Sequence, residues 1–512
     1  MDMSTRTARF ILALVIVFYV MLGALYAVNT PRWQAPDEPA HFNYIAHLAT
    51  QRQFPTLQSG DYPHQYLEQI KAARFPPTMP IDSLRYESHQ PPLYYLLATP
   101  IYLASSRLGL DSQVLALRLF SVALGAAGLW VLHRMVVEAL ADNATGVPGH
   151  KGTFASVAAT AFVAVLPMHV AMTAAINNDV LGELILLYIL WRALQIVRHG
   201  FDARSAWTTG LLFGIALLTK TTIYLTVVGV LGLAVWLGSP RGSDARSALH
   251  LRLNYLARVL VMGLALSAPW FVRNASVYGG LDILAWRRHD EVVLGQLRTG
   301  DLLAELGPGR FLADFARTTF RSFWGQFGWM GVLLDERVYL ALAVLCGVLA
   351  IGFSHLFFRI WRGEIRLTEY HRRAGILLAA SAALTAVTYL GYNFKFVQHQ
   401  GRYLFPALGP LALAVSLSVL ELSKPQVSRL VALLLLLGAA LGAGLGAMTG
   451  DVPGWTILLL VIAAAGLSVT AWLPARWRWL PAACLYLALL VLNPVLVHEY
   501  IVPALSVASV SP

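Results

Sequence analysis

Residues 10–42 read FILALVIVFYVMLGALYAVNTPRWQAPDEPAHF. The first part of this stretch, residues 10–28, is an apolar run about as long as a helix that crosses a bilayer. The adjacent carboxylates of Asp37 and Glu38 follow it closely. Since a charge at the bilayer centre costs roughly 2.5–3.5 kcal/mol or more, both carboxylates are expected at or just beyond the membrane surface. The stretch therefore predicts a spanning helix that ends beside an acidic segment.

Residues 39–50 are expected to form a short helix after the acidic pair. Pro39 suits the first turn of a helix, where its missing N–H is not needed. Apolar residues then recur every three or four positions up to about Thr50, so one face can lie on the membrane. Asp37 and Glu38 would lie at the positive end of this helix. They either only cap the helix or take part in chemistry, and this stretch alone leaves both interpretations open.

The composition is that of an integral membrane protein. Of 512 residues, 57% are hydrophobic and 13% are charged, whereas soluble proteins have about 25% charged residues. The net charge of +11 does not indicate nucleic-acid binding, because many basic residues lie in short loops between apolar runs. The two cysteines, Cys346 and Cys484, lie inside apolar runs. They are expected to be buried apolar side chains and not disulfide or metal ligands.

The apolar runs predict an all-α fold, a polytopic transmembrane bundle of about thirteen spans. No internal repeat suggests an inverted-repeat transporter. The predicted spans are 10–28, 114–140, 154–176, 180–198, 207–220, 223–238, 255–272, 337–358, 374–392, 403–421, 430–448, 454–473 and 480–497.

Basic residues fall mainly on one side of this predicted topology. They lie in the short loops that include residues 198–204, 241–258, 359–373 and 424–429, whereas the short loops of the other side hold only Lys220, Lys395 and Arg402. The positive-inside rule then predicts a cytoplasmic N-terminus and an outer C-terminus.

Two long loops, 29–113 and 273–335, are both predicted to be on the outer side. The apolar segment 93–104 of the first loop is short for a span and is entered through two prolines. We interpret it as an interfacial or re-entrant helix. The aromatic and glycine-rich residues 321–329 of the second loop are typical of an interfacial belt, or of a lid or sugar-stacking wall.

The predicted topology also brings polar residues from six separate parts of the chain to the outer side. This convergence predicts a site at the outer membrane–water boundary. The residues are Asp37, Glu38, His41, Glu87, His89, Asn177, Asn178, Asp179, Lys220, Arg402 and Tyr403.

The residue types in this set suit transfer from a lipid phosphate to a hydroxyl. A carboxylate can remove the hydroxyl proton, and Lys220 and Arg402 can neutralise the leaving phosphate. Structural alternatives remain open, since Asp179 could cap its helix and both cations could be snorkelling anchors. No metal site is predicted, because His41 and His89 have no recognisable metal-ligand spacing and are expected to be hydrogen-bond partners.

Four motifs resemble those of a large family of bacterial membrane proteins. These are PDEPAHF at 36–42, HQPPLYY at 89–95, Asn178-Asp179 and QGRYLFP at 400–406. That family is similar to the GT-C superfamily of glycosyltransferases, which includes protein O-mannosyltransferases and the aminoarabinose transferase of lipid A. The resemblance covers about residues 10–410. We therefore expect a GT-C-like catalytic region over residues 1–421 and additional C-terminal transmembrane helices over residues 422–512.

The resemblance implies a sugar donor linked to polyprenyl phosphate, an outward-facing site and location in the bacterial inner membrane. It implies that Asp37 is the general base, that Glu38 is its partner in the acidic motif, and that Asp179 is the acid at the outer end of a helix turn. The binding residues His41, His89, Asn178, Lys220, Arg402 and Tyr403 complete the predicted site. Gln90 differs from the better-known enzymes, which have His before the two prolines. The residues after the acidic pair differ too, so the sugar and the acceptor stay unidentified.

Two other classes of function remain as alternatives. A transporter or flippase of lipid-linked saccharides would need charged residues through the middle of the spans and a route open to both sides. A non-catalytic scaffold could keep the fold without the chemistry. The clustering of polar residues at one end of the helices favours a glycosyltransferase, which could use a divalent metal but does not require one.

Overall fold

We describe a computed structural model of the chain over residues 5–141, 149–239 and 248–506. Its regular structure is helical, and no β-strand forms within these ranges. The α-helices are α1 Thr5–Asn29, α2 Glu38–Gln51, α3 His64–Ala72, α4 Leu93–Ser105, α5 Leu110–Ala139, α6 His150–Ala164, α7 Pro167–Thr173, α8 Asp179–His199, α9 Ala203–Leu217, α10 Tyr224–Leu237, α11 Ala248–Tyr278, α12 Trp286–Val292, α13 Thr299–Trp324, α14 Glu336–Trp361, α15 Glu369–Asn393, α16 Leu408–Leu422, α17 Pro425–Thr449, α18 Gly454–Trp472, α19 Leu480–Val495 and α20 Val502–Leu505. Short 3₁₀ segments include Tyr86–His89 and Gly401–Ala407, and Leu496–Ile501 is a π-helix.

The predicted transmembrane bundle is confirmed, but the predicted number of thirteen spans is not. Ten helices within the described ranges are long and apolar enough to cross a membrane, or eleven if α6 and α7 form one bent span. The other two predicted spans, 207–220 and 223–238, correspond to α9 and α10, which have 15 and 14 residues. At 1.5 Å per residue each is about 22 Å long, which is less than the roughly 30 Å of a hydrocarbon core.

A sharp bend interrupts the predicted span 154–176. Helices α6 and α7 meet at 68°, and Leu166 between them has extended backbone angles (φ −71°, ψ 110°). Pro167 explains the bend, because a proline disfavours helical angles in the residue before it. The bend leads the chain into the turn at Asn177–Asp179, which belongs to the candidate site described below.

The first long loop forms a compact cap of short helices. The segment predicted to be interfacial is α4, with 13 residues, and it is not among the helices long enough to span. It packs against α2 through Tyr44 and Tyr95, whose rings stack with centroids 3.7 Å apart. Both tyrosines are buried, together with Ile45 and Tyr94. This aromatic core holds the segment around Asp37 rigidly on one face of the bundle.

The C-terminal helices join the bundle at two places. Helices α17 and α18 pack on α14 through a small core that includes Val348, Val431 and Leu435. The end of the described chain returns to the first long loop, where Arg74 Nη1 donates to the Ser506 carbonyl at 2.8 Å. The C-terminal end therefore lies on the face of the bundle that carries the loop 29–113, as the predicted topology requires.

The prediction that both cysteines are buried was wrong, since Cys346 of α14 is only partly buried. Cys346 and Cys484 are both free, and Cys484 is exposed on the surface of α19. Lipid-facing surfaces of spans are as apolar as their interiors, so an apolar run does not indicate which side faces the protein.

Candidate active site

Asp37 lies at the N-cap position of α2 but does not cap it. Its backbone is in the left-handed region (φ 65°), and its side chain makes no hydrogen bond to the helix N-terminus. Instead, Oδ1 accepts a hydrogen bond from the Tyr86 hydroxyl at 3.0 Å, and Oδ2 accepts one from Arg402 Nη2 at 2.9 Å. A left-handed conformation costs free energy in a residue other than glycine, although Asp tolerates it better than most. The turn thus aims the carboxylate away from its own helix.

The surroundings of Asp37 favour its ionised form. Burial raises the pKa of the carboxyl, but the nearby charge of Arg402 and the hydrogen bonds from Arg402 and Tyr86 outweigh burial and lower it below its usual value. The side chain keeps 27% of its surface exposed, whereas Arg402 keeps 6%. Asp37 is therefore a charged, reachable carboxylate with a buried cation behind it.

Arg402 is positioned by the close approach of two backbones. The Gly401 N–H donates to Ser322 Oγ at 2.7 Å, and a Cβ at Gly401 would lie 2.2 Å from the Thr319 carbonyl oxygen of α13. Arg402 Nε donates to Gln400 Oε1 at 2.7 Å. Since a guanidinium has five N–H donors, these contacts and the bond to Asp37 leave donors for a ligand.

Lys220 and Asp179 form a second ion pair of the site. Lys220 Nζ lies 2.5 Å from Asp179 Oδ1 and donates to Asn178 Oδ1 at 2.9 Å. Asn178 Nδ2 in turn donates to Gln90 Oε1 at 3.4 Å. The Asp179 N–H, the first of α8, donates to Asn177 Oδ1 at 3.0 Å. The Asp179 carboxylate is therefore directed to Lys220.

Electrostatic interactions connect the two ion pairs. The carboxylate of Asp179 interacts with Arg402 as well as with Lys220. His41 interacts with both cations, and burial together with Lys220 lowers the pKa of His41 to about 3. Its Nδ1 is 2.8 Å from the Tyr95 hydroxyl. His41 is therefore a neutral hydrogen-bonding residue between the charges at pH 7.

His89 lies at the edge of the site and makes no direct bond to its charged groups. Its Nδ1 donates to the Tyr86 carbonyl at 3.0 Å. Burial and the neighbouring His289 of α12, with ring centroids 5.0 Å apart, lower the pKa of His89 to about 3. The second long loop thus contacts the first beside the site.

Tyr403 lies beside Arg402, and the guanidinium carbon is 5.2 Å from the centre of its ring. Its ring is also 6.1 Å from that of Tyr392 on α15. These aromatic rings form an apolar wall beside the cation. Within the described ranges, no three or more His, Cys, Asp or Glu side chains are grouped so that they could hold a metal ion.

Glu38 has surroundings that differ from those predicted for a catalytic group. Its side chain is fully buried and pairs with Arg118 through two bonds, at 2.8 and 2.7 Å. It also accepts from the backbone N–H groups of Trp33 (3.0 Å) and Ile176 (3.3 Å). Because both of its oxygens are occupied and shielded, the Glu38 carboxylate has no free approach for a substrate proton. It connects α5, the loop before Asp37 and the turn before Asp179.

Sequence reasoning did not single out Arg118, Tyr86 or Gln400 as site residues. Arg118 had a usable signal, because it is a charged residue inside the predicted span 114–140. It also donates to the Ala27 and Thr30 carbonyls, at 2.9 and 2.6 Å, near the C-terminal end of α1. Gln400 had a signal as well, since it begins the motif at 400–406, whereas Tyr86 had none.

Glu87 was among the polar residues expected on the outer side but was not chosen for the predicted site. Burial and the nearby negative charge of Asp37 raise the pKa of its carboxyl to about 8. A carboxyl that stays protonated at neutral pH can donate a hydrogen bond. The sequence alone does not show that the pKa of a particular glutamate is raised.

Comparison with solved structures places the fold. ArnT from Cupriavidus metallidurans bound to undecaprenyl phosphate superposes with a TM-score of 0.52 at 15% identity, over 97% of this chain and 77% of that one. AglB from Archaeoglobus fulgidus, in complex with an inhibitory peptide and a dolichol-phosphate, gives 0.48 at 13% identity, over 94% and 56%. The Pmt1–Pmt2 protein O-mannosyltransferase complex of S. cerevisiae gives 0.37 at 16% identity, over 54% and 34%.

No protein-family model and no curated protein sequence matches the chain. The structural neighbours are GT-C superfamily membrane glycosyltransferases, and at these identities the likeness to ArnT concerns the fold. The predicted GT-C-like fold is therefore confirmed: the chain has the architecture of the GT-C membrane glycosyltransferases.

Proposed function

We propose that this protein is a membrane glycosyltransferase that moves a sugar from a polyprenyl-phosphate carrier to a hydroxyl of an acceptor at the outer face of the membrane. The observation that carries the proposal is the contact between Asp37 and Arg402, two residues 365 positions apart in sequence. The contact places a reachable carboxylate next to a buried guanidinium that has donors to spare.

In the proposed reaction Asp37 is the general base. The acceptor hydroxyl oxygen attacks the anomeric carbon while the bond between that carbon and the phosphate oxygen breaks. The hydroxyl proton passes to Asp37, and the electron pair of the broken bond stays on the departing lipid phosphate. A positioned general base typically contributes 10²–10⁴-fold to a rate.

Arg402 and Lys220 are proposed to bind the phosphate of the donor. Each cation pairs with a carboxylate in the structure, Arg402 with Asp37 and Lys220 with Asp179. Two cations held by such contacts need little reorganisation when negative charge develops on a leaving phosphate. Lipid-carried phosphates lie at the headgroup level. Arg402, at the start of the span Gly401–Leu422, and Lys220, in the turn between α9 and α10, are proposed to lie at the same level.

The proposed phosphate contact would also activate the base. Arg402 lowers the pKa of Asp37 in the free protein, which makes the carboxylate a weaker base. A donor phosphate that shares the guanidinium would weaken this interaction and raise the pKa of Asp37. The base would then become stronger only when a donor is bound.

The like fold of ArnT, which has been seen with bound undecaprenyl phosphate, supports a lipid-phosphate donor for this chain. An outward site also favours such a donor, because nucleotide sugars are cytosolic. The positive-inside distribution of basic residues supports location in a plasma membrane with the site outward. Part of that basic set, residues 241–247, lies outside the described residues. The resemblance of the four motifs to a family of bacterial membrane proteins supports the bacterial inner membrane as that plasma membrane.

The test is sugar transfer by the full-length protein in proteoliposomes that contain polyprenyl-phosphate sugars and an extract of candidate acceptors. Wild type should transfer label from the lipid to an acceptor, and Asp37→Asn should not. Asp111→Asn is the matched control, since Asp111 carries an exposed carboxylate paired with Arg32 at 2.9 Å and takes no part in the site. Full transfer by a folded Asp37→Asn variant would exclude Asp37 as the base.

The flippase alternative has one observation in its favour. His169 and Glu183 are hydrogen-bonded at 2.9 Å inside the membrane-spanning region, and ionisable residues there can mark a transport path. The same proteoliposomes separate the two functions. Movement of a labelled polyprenyl-phosphate sugar between leaflets without any acceptor would support a flippase, whereas label that stays on its leaflet until an acceptor is added supports a transferase.

A further inference from the structure

A large cavity lies between α1, α6 and α19. Its volume is about 750 Å³, which is within the range of small-molecule and cofactor sites. Its walls are mostly aliphatic and aromatic, with small side chains on two of the three helices. The small wall residues are Ala158, Ala161, Ala164, Ala482 and Ala483.

One end of the cavity is closed by a polar latch. Asn493 of α19 accepts a hydrogen bond from the Tyr26 hydroxyl of α1 at 3.1 Å and donates to the Val165 carbonyl, just after α6, at 3.0 Å. The latch holds the three helices together near the face of the candidate site. From there the cavity extends along the three helices towards the other face of the bundle.

The other end of the cavity carries positive charge. Arg476 and Trp479 line it there, together with Thr7 near the start of α1. Arg6 and Arg9 are exposed on the same part of α1. No carboxylate of the described chain lies within salt-bridge distance of Arg476. An apolar chamber with a cationic, tryptophan-containing mouth at a membrane surface complements an anionic amphiphile.

We propose that the cavity binds one anionic diacyl phospholipid, with its phosphate at Arg476 and its acyl chains against the alanine faces of α6 and α19. An empty cavity becomes more costly as its volume grows, and lipid chains can fill this one because its walls are mostly apolar. The site is separate from the candidate active site, because α1 has 25 residues and spans roughly 37 Å between the two ends. The lipid would fasten α19 to the bundle.

The test measures lipid-dependent stability of the delipidated full-length protein in detergent. Phosphatidylglycerol or phosphatidylcholine with identical acyl chains is added, and thermal unfolding and native mass spectrometry are recorded. For wild type, phosphatidylglycerol should raise the unfolding midpoint more than phosphatidylcholine and remain bound in the mass spectrum. Arg476→Gln should lose at least half of that difference, and Arg429→Gln should keep it. Arg429 is the matched control, because it is an exposed arginine next to Trp472 and does not line the cavity.

A second variant, Ala482→Phe, narrows the cavity without changing charge. It should lower the retention of phosphatidylglycerol, and its unfolding midpoint without lipid shows whether it folds. Equal effects of Arg476→Gln and Arg429→Gln would overturn the proposal. So would wild-type retention of lipid by a folded Ala482→Phe variant, an equal response to both phospholipids, or preferential retention of polyprenyl phosphate.

Discussion

Asp37 and Glu38 are neighbours in sequence, and the fold gives them opposite surroundings. Asp37 has a left-handed backbone, one bond to a guanidinium and 27% of its side chain exposed. Glu38 has both oxygens bound by Arg118 and none of its side chain exposed. A carboxylate that is to accept a proton needs a free approach, whereas one that joins three chain segments needs every lone pair occupied. In the proposed reaction the acidic motif therefore divides into one reactive residue, Asp37, and one structural residue, Glu38.

The largest expected effect is on the transfer rate, and it distinguishes Asp37 from Glu38. Asp37→Asn should lower transfer by about 10²–10⁴-fold, because the amide cannot accept the hydroxyl proton. The unfolding midpoint should fall less than for Glu38→Ala, since the amide keeps the Tyr86 contact and Asp179 still compensates part of the Arg402 charge. Initial rates in proteoliposomes and thermal unfolding measure the two effects. A large loss of stability with little loss of activity would reverse the roles assigned to Asp37 and Glu38.

The next effect is a loss of folding stability in Glu38→Ala. Glu38→Ala leaves Arg118 buried without its counter-charge, and breaking a buried pair in this way costs about 3–5 kcal/mol. Thermal or denaturant unfolding in detergent should show the loss. Replacing both partners, with Arg118→Leu in the same chain, should restore part of it because no buried charge then remains. A single variant as stable as wild type would show that the pair does not hold the loop segments together.

The third prediction concerns Arg402, the buried cation that pairs with the Asp37 carboxylate. Arg402→Gln should weaken donor binding by about 10- to 100-fold, as expected for loss of a charged hydrogen bond of roughly 1.5–3 kcal/mol. Because Arg402 helps to lower the pKa of Asp37, its loss should raise that pKa. The acidic limb of the pH–rate profile would then move to higher pH. An unmoved limb would show that Arg402 does not set the ionisation of the base.

A smaller effect should follow from displacing Arg402 without changing it. Gly401→Ala places a Cβ against the α13 backbone, and overpacking of this kind typically costs about 1–3 kcal/mol. Transfer should fall in parallel as Arg402 shifts. Gly391→Ala is the control, because a Cβ there has nothing within 4 Å. If both variants behaved alike, the close approach at Gly401 would not position Arg402.

The last prediction concerns Glu87 and the pH dependence of stability. Its folded pKa of about 8 lies above the ordinary 4.5, so between these values the folded state binds more protons than the unfolded state. The stabilisation is complete below pH 4.5 and is lost as the pH rises through 8. Glu87→Gln mimics the protonated form, so relative to wild type it should gain stability from pH 5 to pH 8. Unfolding at both pH values measures this, and a constant difference would show that Glu87 titrates normally.

Much of the fold and part of the site could be predicted from the sequence. Long apolar runs determine spanning helices, and the charge bias between loops brought Asp37 and Arg402 to one face. Neither signal reports on packing. The bend at Pro167 depends on one residue within an apolar run, and α9 and α10 are too short to span although their sequences are apolar. The structural role of Glu38 depends on Arg118, 80 positions away, and a spacing of that kind leaves no pattern.

The central claim is that Arg402 and Lys220 hold a lipid phosphate beside a base, Asp37. The most direct measurement is a cryo-electron-microscopy structure of the full-length protein with bound polyprenyl phosphate. Our account predicts phosphate density within hydrogen-bonding distance of both Arg402 and Lys220, with the contact between Arg402 and Asp37 lengthened. Phosphate density elsewhere on the protein, with Arg402 and Lys220 still bound only to their carboxylates, would contradict it.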